Sequence, residues 1–313
     1  DPDAGALQQL AGRFPEAKAV SSWEDFTAAV PDIAIVASPP QHHAQQCVAL
    51  IEADVAVLCE KPLALHTAEA DRIAAAAARP GAILAVGMLR RYLPAARTIA
   101  WLIQSGAMGQ VQRVRWLEGN RFRWPIESHA YFRPEVGGVL ADIGIHVMDL
   151  LQWWLGDLSL QSYEDDNAGG VEANCLIRLR DRKQADIAVR LTRDDDPPVL
   201  CRIDCERGAI LWRDGHPTEF ELRLDDSHPG VQGLQPCGGF FAAANAEVWS
   251  FERAFVAQLQ DLIAARRQGR SPAVTAASAR AAVALLEACY ATRKSLPLPW
   301  AARERLAART APS

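Results

Sequence analysis

The sequence predicts an α/β first half followed by an α+β second half, and three patterns carry that prediction. Residues 33–37 and 55–59 are continuous apolar runs of strand length with a helical stretch, 43–53, between them. Short apolar strands alternating with helices indicate a parallel sheet covered on both faces. After about Gly109 the runs alternate instead: in 185–191 the odd positions are apolar, and in 199–206 Val199, Cys201, Ile203 and Cys205 face away from Arg202, Asp204 and Glu206. Period-two alternation implies an antiparallel sheet with one covered face. Between these halves, Leu140, Ile143, Val147, Leu150, Leu151 and Trp154 recur at helical spacing, with Gly137-Gly138 ahead and Gly156 as a stop.

The remaining elements follow in order. Leu7, Leu10, Ala11 and Phe14 space a first helix, and an extended piece is expected near 17–20. Ser21-Ser22-Trp23-Glu24-Asp25 has a helix cap and an acidic first turn. Helices are expected at 64–78 and 94–105, and strands at 82–86 and 111–118. Two amphipathic helices, about 246–267 and 276–294, come last, before Leu296-Pro297-Leu298-Pro299. Asp194-Asp195-Asp196-Pro197-Pro198 is a solvated turn, and Trp153 and Trp154 belong to the core. The expected division is a dinucleotide-type unit at 1–109 and a second unit at 110–313.

Composition excludes several classes. A chain of 313 residues suffices for two domains. A net charge of -5 supplies no basic excess for binding nucleic acid generally. No apolar run reaches the ~18–20 residues of a membrane span. The seven cysteines form no close pairs of metal-site type, so no metal is expected. Cys201 and Cys205, on one strand, are ~13 Å apart, too far for a disulfide. Unpaired thiols fit a reducing cytoplasm.

The chemistry gathers at a few short motifs. Ser38-Pro39-Pro40-Gln41-His42-His43 leaves an apolar strand for a helix, and Glu60-Lys61-Pro62 sits at another strand's carboxyl end, where ligands of doubly wound sheets bind. An ordinary turn explains the first equally well. A lysine at such a tip can reach a ligand's oxygens, and the proline can hold a cis bond or a fixed turn. Asp142 and His146, four apart, share a helix face. A carboxylate beside an imidazole can orient the ring and raise its pKa, although a satisfied core histidine has the same spacing.

Together and in this order, these pieces resemble the glucose–fructose oxidoreductase / inositol dehydrogenase / rhizopine-catabolism (Gfo/Idh/MocA) family. The matching residues are Ser38-Pro39-Pro40 with His43, Cys59-Glu60-Lys61-Pro62-Leu63-Ala64, and Val86-Gly87 with Arg90-Arg91-Tyr92 and Pro94. Gly137-Gly138 through Asp142 and His146 to Asp149 also match, as does Gly269-Arg270-Ser271-Pro272-Ala273-Val274. The resemblance implies a Rossmann-type parallel sheet domain, here incomplete, followed by a largely antiparallel sheet with covering helices. It implies an oxidoreductase using NAD or NADP on a sugar, polyol or related small molecule, and a homo-oligomer formed through the antiparallel sheet. Lys61 is then the catalytic lysine, His146 the proton carrier and Asp142 the residue that tunes the pair. Ser38, Pro39, Pro40, His43, Glu60, Lys61 and Arg90 would line the cofactor. Lys61, Arg91, Tyr92, Arg123, Trp124, Asp142 and His146 would line the substrate, with His129 an alternative proton carrier. A lysine ammonium near the histidine can also lower the imidazole pKa. Two other readings keep the ancestry: a non-catalytic member that binds a sugar-like ligand or a partner, and NAD-assisted cleavage of a glycosidic bond.

One departure stands out. Family members begin with a strand, a Gly-x-Gly-x-x-Gly turn, a helix and a second strand, and nothing here matches that fingerprint. Gly137-Gly138 does not follow a parallel strand and is no substitute. The missing unit holds the turn that receives the cofactor's pyrophosphate. The expectation is a fragment of a longer protein that binds dinucleotide poorly or is unstable. Its extended piece near 17–20 should be cut off from the strands at 33 and 55.

Overall fold

The computed structural model describes residues 1–123, 137–213, 215–224, 240–242 and 250–296. The chain opens with α1 (Ala4–Arg13), capped by the Asp3 carboxylate, and α2 (Trp23–Ala28), capped by Ser22; neither buries a residue. There follow β1 (Ile33–Val36), α3 (His43–Glu52), β2 (Ala56–Cys59), α4 (Thr67–Ala77), β3 (Leu84–Val86) and α5 (Pro94–Gln104). β1, β2 and β3 pair in that order as a parallel sheet, with Ile33 opposite Ala56 and Val57 opposite Leu84. The piece at 17–20 joins no sheet, so β1 is an edge strand, and Ile35 on it is 53% exposed.

The second region is built on β4 (Val111–Gly119). A π-helical turn, Leu140–Gly144, runs into α6 (Ile145–Leu155), so the expected single helix starts with a widened turn. Gly156 ends it at φ +83, as a stop should. Then come β5 (Leu158–Asp165), β6 (Asn174–Asp181), β7 (Asp186–Thr192), β8 (Leu200–Cys205), β9 (Gly208–Arg213), β10 (Glu219–Leu224) and β11 (Phe240–Ala242). α7 (Phe251–Gln268), α8 (Ala276–Ala291) and β12 (Lys294–Ser295) follow. The described strands form a nine-stranded sheet, β11-β10-β9-β8-β4-β7-β6-β5-β12.

The large sheet is mostly antiparallel, as expected, and two finer expectations need correction. The sheet is antiparallel except where β4 runs parallel to β7 and β12 parallel to β5. The last helix stops at Ala291 rather than 294, because Lys294 and Ser295 pair with β5 instead. Alternation along β4 is broken by a register shift between Val111 and Arg113, so Val111 and Val114 are both buried although three apart. An extra residue in one strand resets the phase in this way.

The inner face of the large sheet carries the core. Trp116, Trp154 and Trp212 lie in mutual contact, with ring centroids 5.8–6.1 Å apart. Late elements return to the parallel sheet. Leu262 and Ala265 of α7 pack on Ala56, Leu58, Ile83 and Ala85, while α8 lies against α4. This explains the fully apolar runs of β2 and β3: each face has a cover, and the cover on one face comes from α7, far downstream in sequence. Burying each large aliphatic side chain here contributes about 1.5–3 kcal/mol. The six cysteines among the described residues are free and buried, and no described helix is long and apolar enough to cross a membrane.

Candidate active site

The carboxyl edge of the parallel sheet places the first group of side chains. The ladder continues one residue past each strand: Glu60 N–H donates to Val36 O at 2.8 Å, and Gly87 N–H to Cys59 O at 2.7 Å. A Cβ at Gly87 would lie 3.0 Å from Glu60 Oε2 and 3.2 Å from its Cα, so a glycine here lets Glu60 rest against the end of β3. The Lys61–Pro62 bond is cis. Lys61 then leaves the sheet edge and crosses to the other region. Its Nζ donates to Asp142 Oδ1 at 2.8 Å and to the Asp142 carbonyl at 3.0 Å. The pair is half-buried, with side chains 22% and 25% exposed.

Asp142 lies on the widened turn and His146 just beyond it on α6. The second Asp142 oxygen is taken by Arg193, which also reaches Asn120. His146 Nδ1 is buried and has no hydrogen-bond partner among the described residues. Burial first, then the charges of Arg90 and Lys61, push the imidazole well below its ordinary range, and Asp142 only partly opposes them. The net direction is opposite to the one expected from Asp142 alone, because two cations and burial outweigh one carboxylate. Neutral imidazole is therefore the resting form at neutral pH. Arg90 places its fork on Glu118 at 2.9 and 2.5 Å, and Trp116 Nε1 donates to the same carboxylate at 3.0 Å. Burial alone would raise Glu118, but Arg90 and Trp116 hold it below the usual carboxylate range.

Several expected site residues do something else. His43 is 1% exposed, and its ring nitrogens face Pro62 O at 3.0 Å and Ser38 O at 2.8 Å. It ties the Ser38 turn to the Glu60-Lys61-Pro62 turn. Ser38 Oγ donates to Gln46 at 2.6 Å, and Pro39 and Pro40 form the short turn into α3. Arg91 is buried in a bidentate pair with Asp149, at 2.7 and 2.6 Å, and its guanidinium lies 5.4 Å from the Trp153 ring centroid. Tyr92 is 4% exposed and donates to Asp261 of α7 at 3.0 Å. Both act as struts between elements. Arg90 is paired with Glu118. Arg123 is exposed and paired with Asp196 at 2.6 Å. Trp124 and His129 lie outside the described residues.

Sequence reasoning passed over Glu118, Arg193 and Asn120. Glu118 had a signal: it is a charge on the buried face of an alternating strand. Arg193 had none, since it follows β7 directly and only the fold brings it across to Asp142.

This geometry joins a strand-tip lysine to an acid and an imidazole from another region, and two family models match the two regions separately. Residues 1–88 match the model described as "Oxidoreductase family, NAD-binding Rossmann fold", and residues 96–211 match the GFO/IDH/MocA C-terminal domain. The chain belongs to the Gfo/Idh/MocA family. Its similarity to individual members is modest. It is 27% identical over 225 residues to the myo-inositol dehydrogenase Hyg17 of Streptomyces leeuwenhoekii, taking in 72% of this chain and 64% of Hyg17, just under two thirds of that relative's length. It is 27% identical over 312 residues to inositol 2-dehydrogenase 3 of Saccharopolyspora erythraea, covering 95% of this chain and 83% of that one. A solved levoglucosan dehydrogenase, in complex with NADH and levoglucosan, superposes with a TM-score of 0.78 at 20% identity, over 96% of this chain and 86% of the other. At that identity the likeness speaks for the fold. Within this Gfo/Idh/MocA chain, Lys61, Asp142 and His146 form one cluster, and the Ser38 turn lies behind it through His43.

Proposed function

We propose that this Gfo/Idh/MocA chain is a dehydrogenase that transfers hydride between NAD or NADP and a hydroxyl-bearing carbon of a sugar, polyol or related small molecule. Residues 1–109 supply the cofactor side and 110–313 the substrate side. The observation that carries the reading is the 2.8 Å contact from Lys61 Nζ to Asp142, which brings the sheet edge to the helix that bears His146. Hydride can leave a carbinol carbon only as the hydroxyl proton is taken up. His146, neutral at rest and with an unpartnered Nδ1, can take that proton. Lys61 directs an ammonium toward the same oxygen and stabilises its developing charge. Asp142, shared by Lys61 and Arg193, fixes where that ammonium stands.

The residues at the sheet edge fit the nicotinamide end of such a cofactor. Glu60 is a half-buried carboxylate held at the strand tip, where Gly87 leaves it room, and it can accept hydrogen bonds from a ligand. Ser38, Pro39 and Pro40 form the neighbouring turn on the same edge. The bound nicotinamide would supply the hydride acceptor. The names of the relatives support a polyhydroxylated substrate. Incubating the protein with NAD or NADP and a panel of sugars, inositols and sugar acids should change the nicotinamide absorbance with at least one of them. Saturable binding of dinucleotide without any turnover across the panel would count against the enzymatic reading.

We also infer a homo-oligomer through the outer face of the nine-stranded sheet. There Arg115, Leu117, Leu176, Arg178, Arg190 and Leu200 line a shallow cavity of about 260 Å³. Light scattering should find more than one chain per particle, and Leu176→Asp should lower that mass.

A further inference from the structure

Gly137-Gly138 leads into the helix that carries Asp142 and His146, and so far no chemistry accounts for it. A helix start leaves four N–H groups without intrahelical partners. Here two of them are met from outside the helix. Val139 N–H donates to the Glu172 carbonyl at 3.0 Å, and Leu140 N–H donates to Glu172 Oε1 at 3.0 Å. Gly138 has φ +107, in the region that favours glycine, and a Cβ there would overlap the Glu172 carboxyl. The glycine is therefore the opening through which this carboxyl reaches the helix start.

Glu172 is itself held in place. It is 2% exposed and accepts from Tyr290 Oη at 3.0 Å. Arg293 Nη2 stands 3.6 Å from its other oxygen, while Arg293 Nε reaches Asp165 at 2.6 Å and the guanidinium lies 4.9 Å from the Tyr290 ring centroid. Asp165, at the end of β5, is fully buried, and Tyr290 and Arg293 come from the end of α8 and just after it. The cap thus joins the loop before β6, the end of α8 and the start of the widened turn.

We propose that Glu172 is a positioning residue for Asp142 and His146, acting as a buried cap on the helix start, with Gly138 as its opening and Tyr290 as its brace. The assignment rests on the reading that Asp142 and His146 do the chemistry, but the cap can be tested without turnover. Asp142 is two residues beyond the capped Leu140 N–H, so fraying there displaces its carboxylate and loosens the packing that buries His146. A carboxyl at a helix start also meets the partial positive charge of the unpaired N–H groups.

The experiment follows two signals by NMR in the ligand-free chain: amide exchange at Leu140 against Ile187 in the large sheet, and the ring titration of His146 against its wild-type position. In Glu172→Leu, exchange at Leu140 should quicken about tenfold relative to Ile187, the loss of one buried hydrogen bond. His146 should then titrate closer to the ordinary imidazole value near 6.5. Glu172→Gln keeps the accepting oxygen and should hold both signals near wild type. Tyr290→Phe removes only the brace and should give a change of about fivefold at Leu140. Uniform quickening at Leu140 and Ile187 with an unmoved His146 titration would mean a merely structural role and overturn the proposal. If Glu172→Leu does not fold, wild-type signals in Tyr290→Phe overturn it equally. Expected behaviour of both signals in a protein that turns over no substrate would retain the cap and remove only the dehydrogenase reading.

Discussion

Two ion pairs link the region around the parallel sheet to the helix that follows β4, and they differ in one respect. Lys61–Asp142 is half-buried, with side chains 22% and 25% exposed, and the acid is shared with Arg193. Arg91–Asp149 is 8% and 1% exposed, bidentate, and sits over Trp153. Both pair a cation near a strand end of the first region with an aspartate of one helical run, and both match residues of the same family motifs. Accessibility separates them. The first pair is open to water, whereas the second is walled in. Position in a motif therefore does not distinguish a proposed reacting group from a strut, but water access does.

The largest effect that could break this contrast is on stability. Arg91→Ala leaves Asp149 buried without its partner and should cost about 3–5 kcal/mol in denaturant unfolding. A loss below about 1 kcal/mol would mean that the site is wet and the pair is no strut. Next, Lys61→Ala should slow hydride transfer by about 10²-fold or more, while its half-exposed pair contributes only ~0–1 kcal/mol to stability. Stopped-flow nicotinamide absorbance and a thermal melt, run on one preparation, separate the two numbers. A large loss of stability with turnover retained would exchange the roles of the two pairs.

The smallest effect concerns pH. His146 titrates well below its ordinary value in the fold, chiefly because it is buried. Between that lowered value and the ordinary one near 6.5, the unfolded chain binds a proton that the folded chain does not, so stability rises with pH there. The contribution is complete above about pH 6.5 and is lost as pH falls toward the lowered value, by at most ~1.4 kcal/mol per pH unit. Urea midpoints measured across this range should show the slope, and His146→Asn should flatten it. An unchanged slope in the variant would assign the effect elsewhere.

The fold was legible because apolar periodicity is local. The runs at 33–36 and 56–59, the stop at Gly156 and the alternation of β7 and β8 follow from one or two turns of chain, and the structure keeps them. The proposed catalytic trio could be named from short motifs, and the structure brings its members together. Partnership was not legible. His43, Arg91 and Tyr92 have the residue types of a ligand site, and each also meets an acceptor that no spacing rule reveals. Glu172 and Arg193 were overlooked for the same reason, since their importance lies in groups 32 and 51 residues away.

By itself, the sequence determined which segments are helix and strand, which faces are apolar, and which few side chains could do acid–base chemistry. Those properties depend on neighbours along the chain. Only the tertiary structure decided that α7 closes the parallel sheet, that the imidazole is pushed down rather than up, and that one arginine pair is buried while a lysine pair stays accessible. Desolvation and charge act through space over a few ångströms, and the order of residues does not encode those distances until the chain has folded.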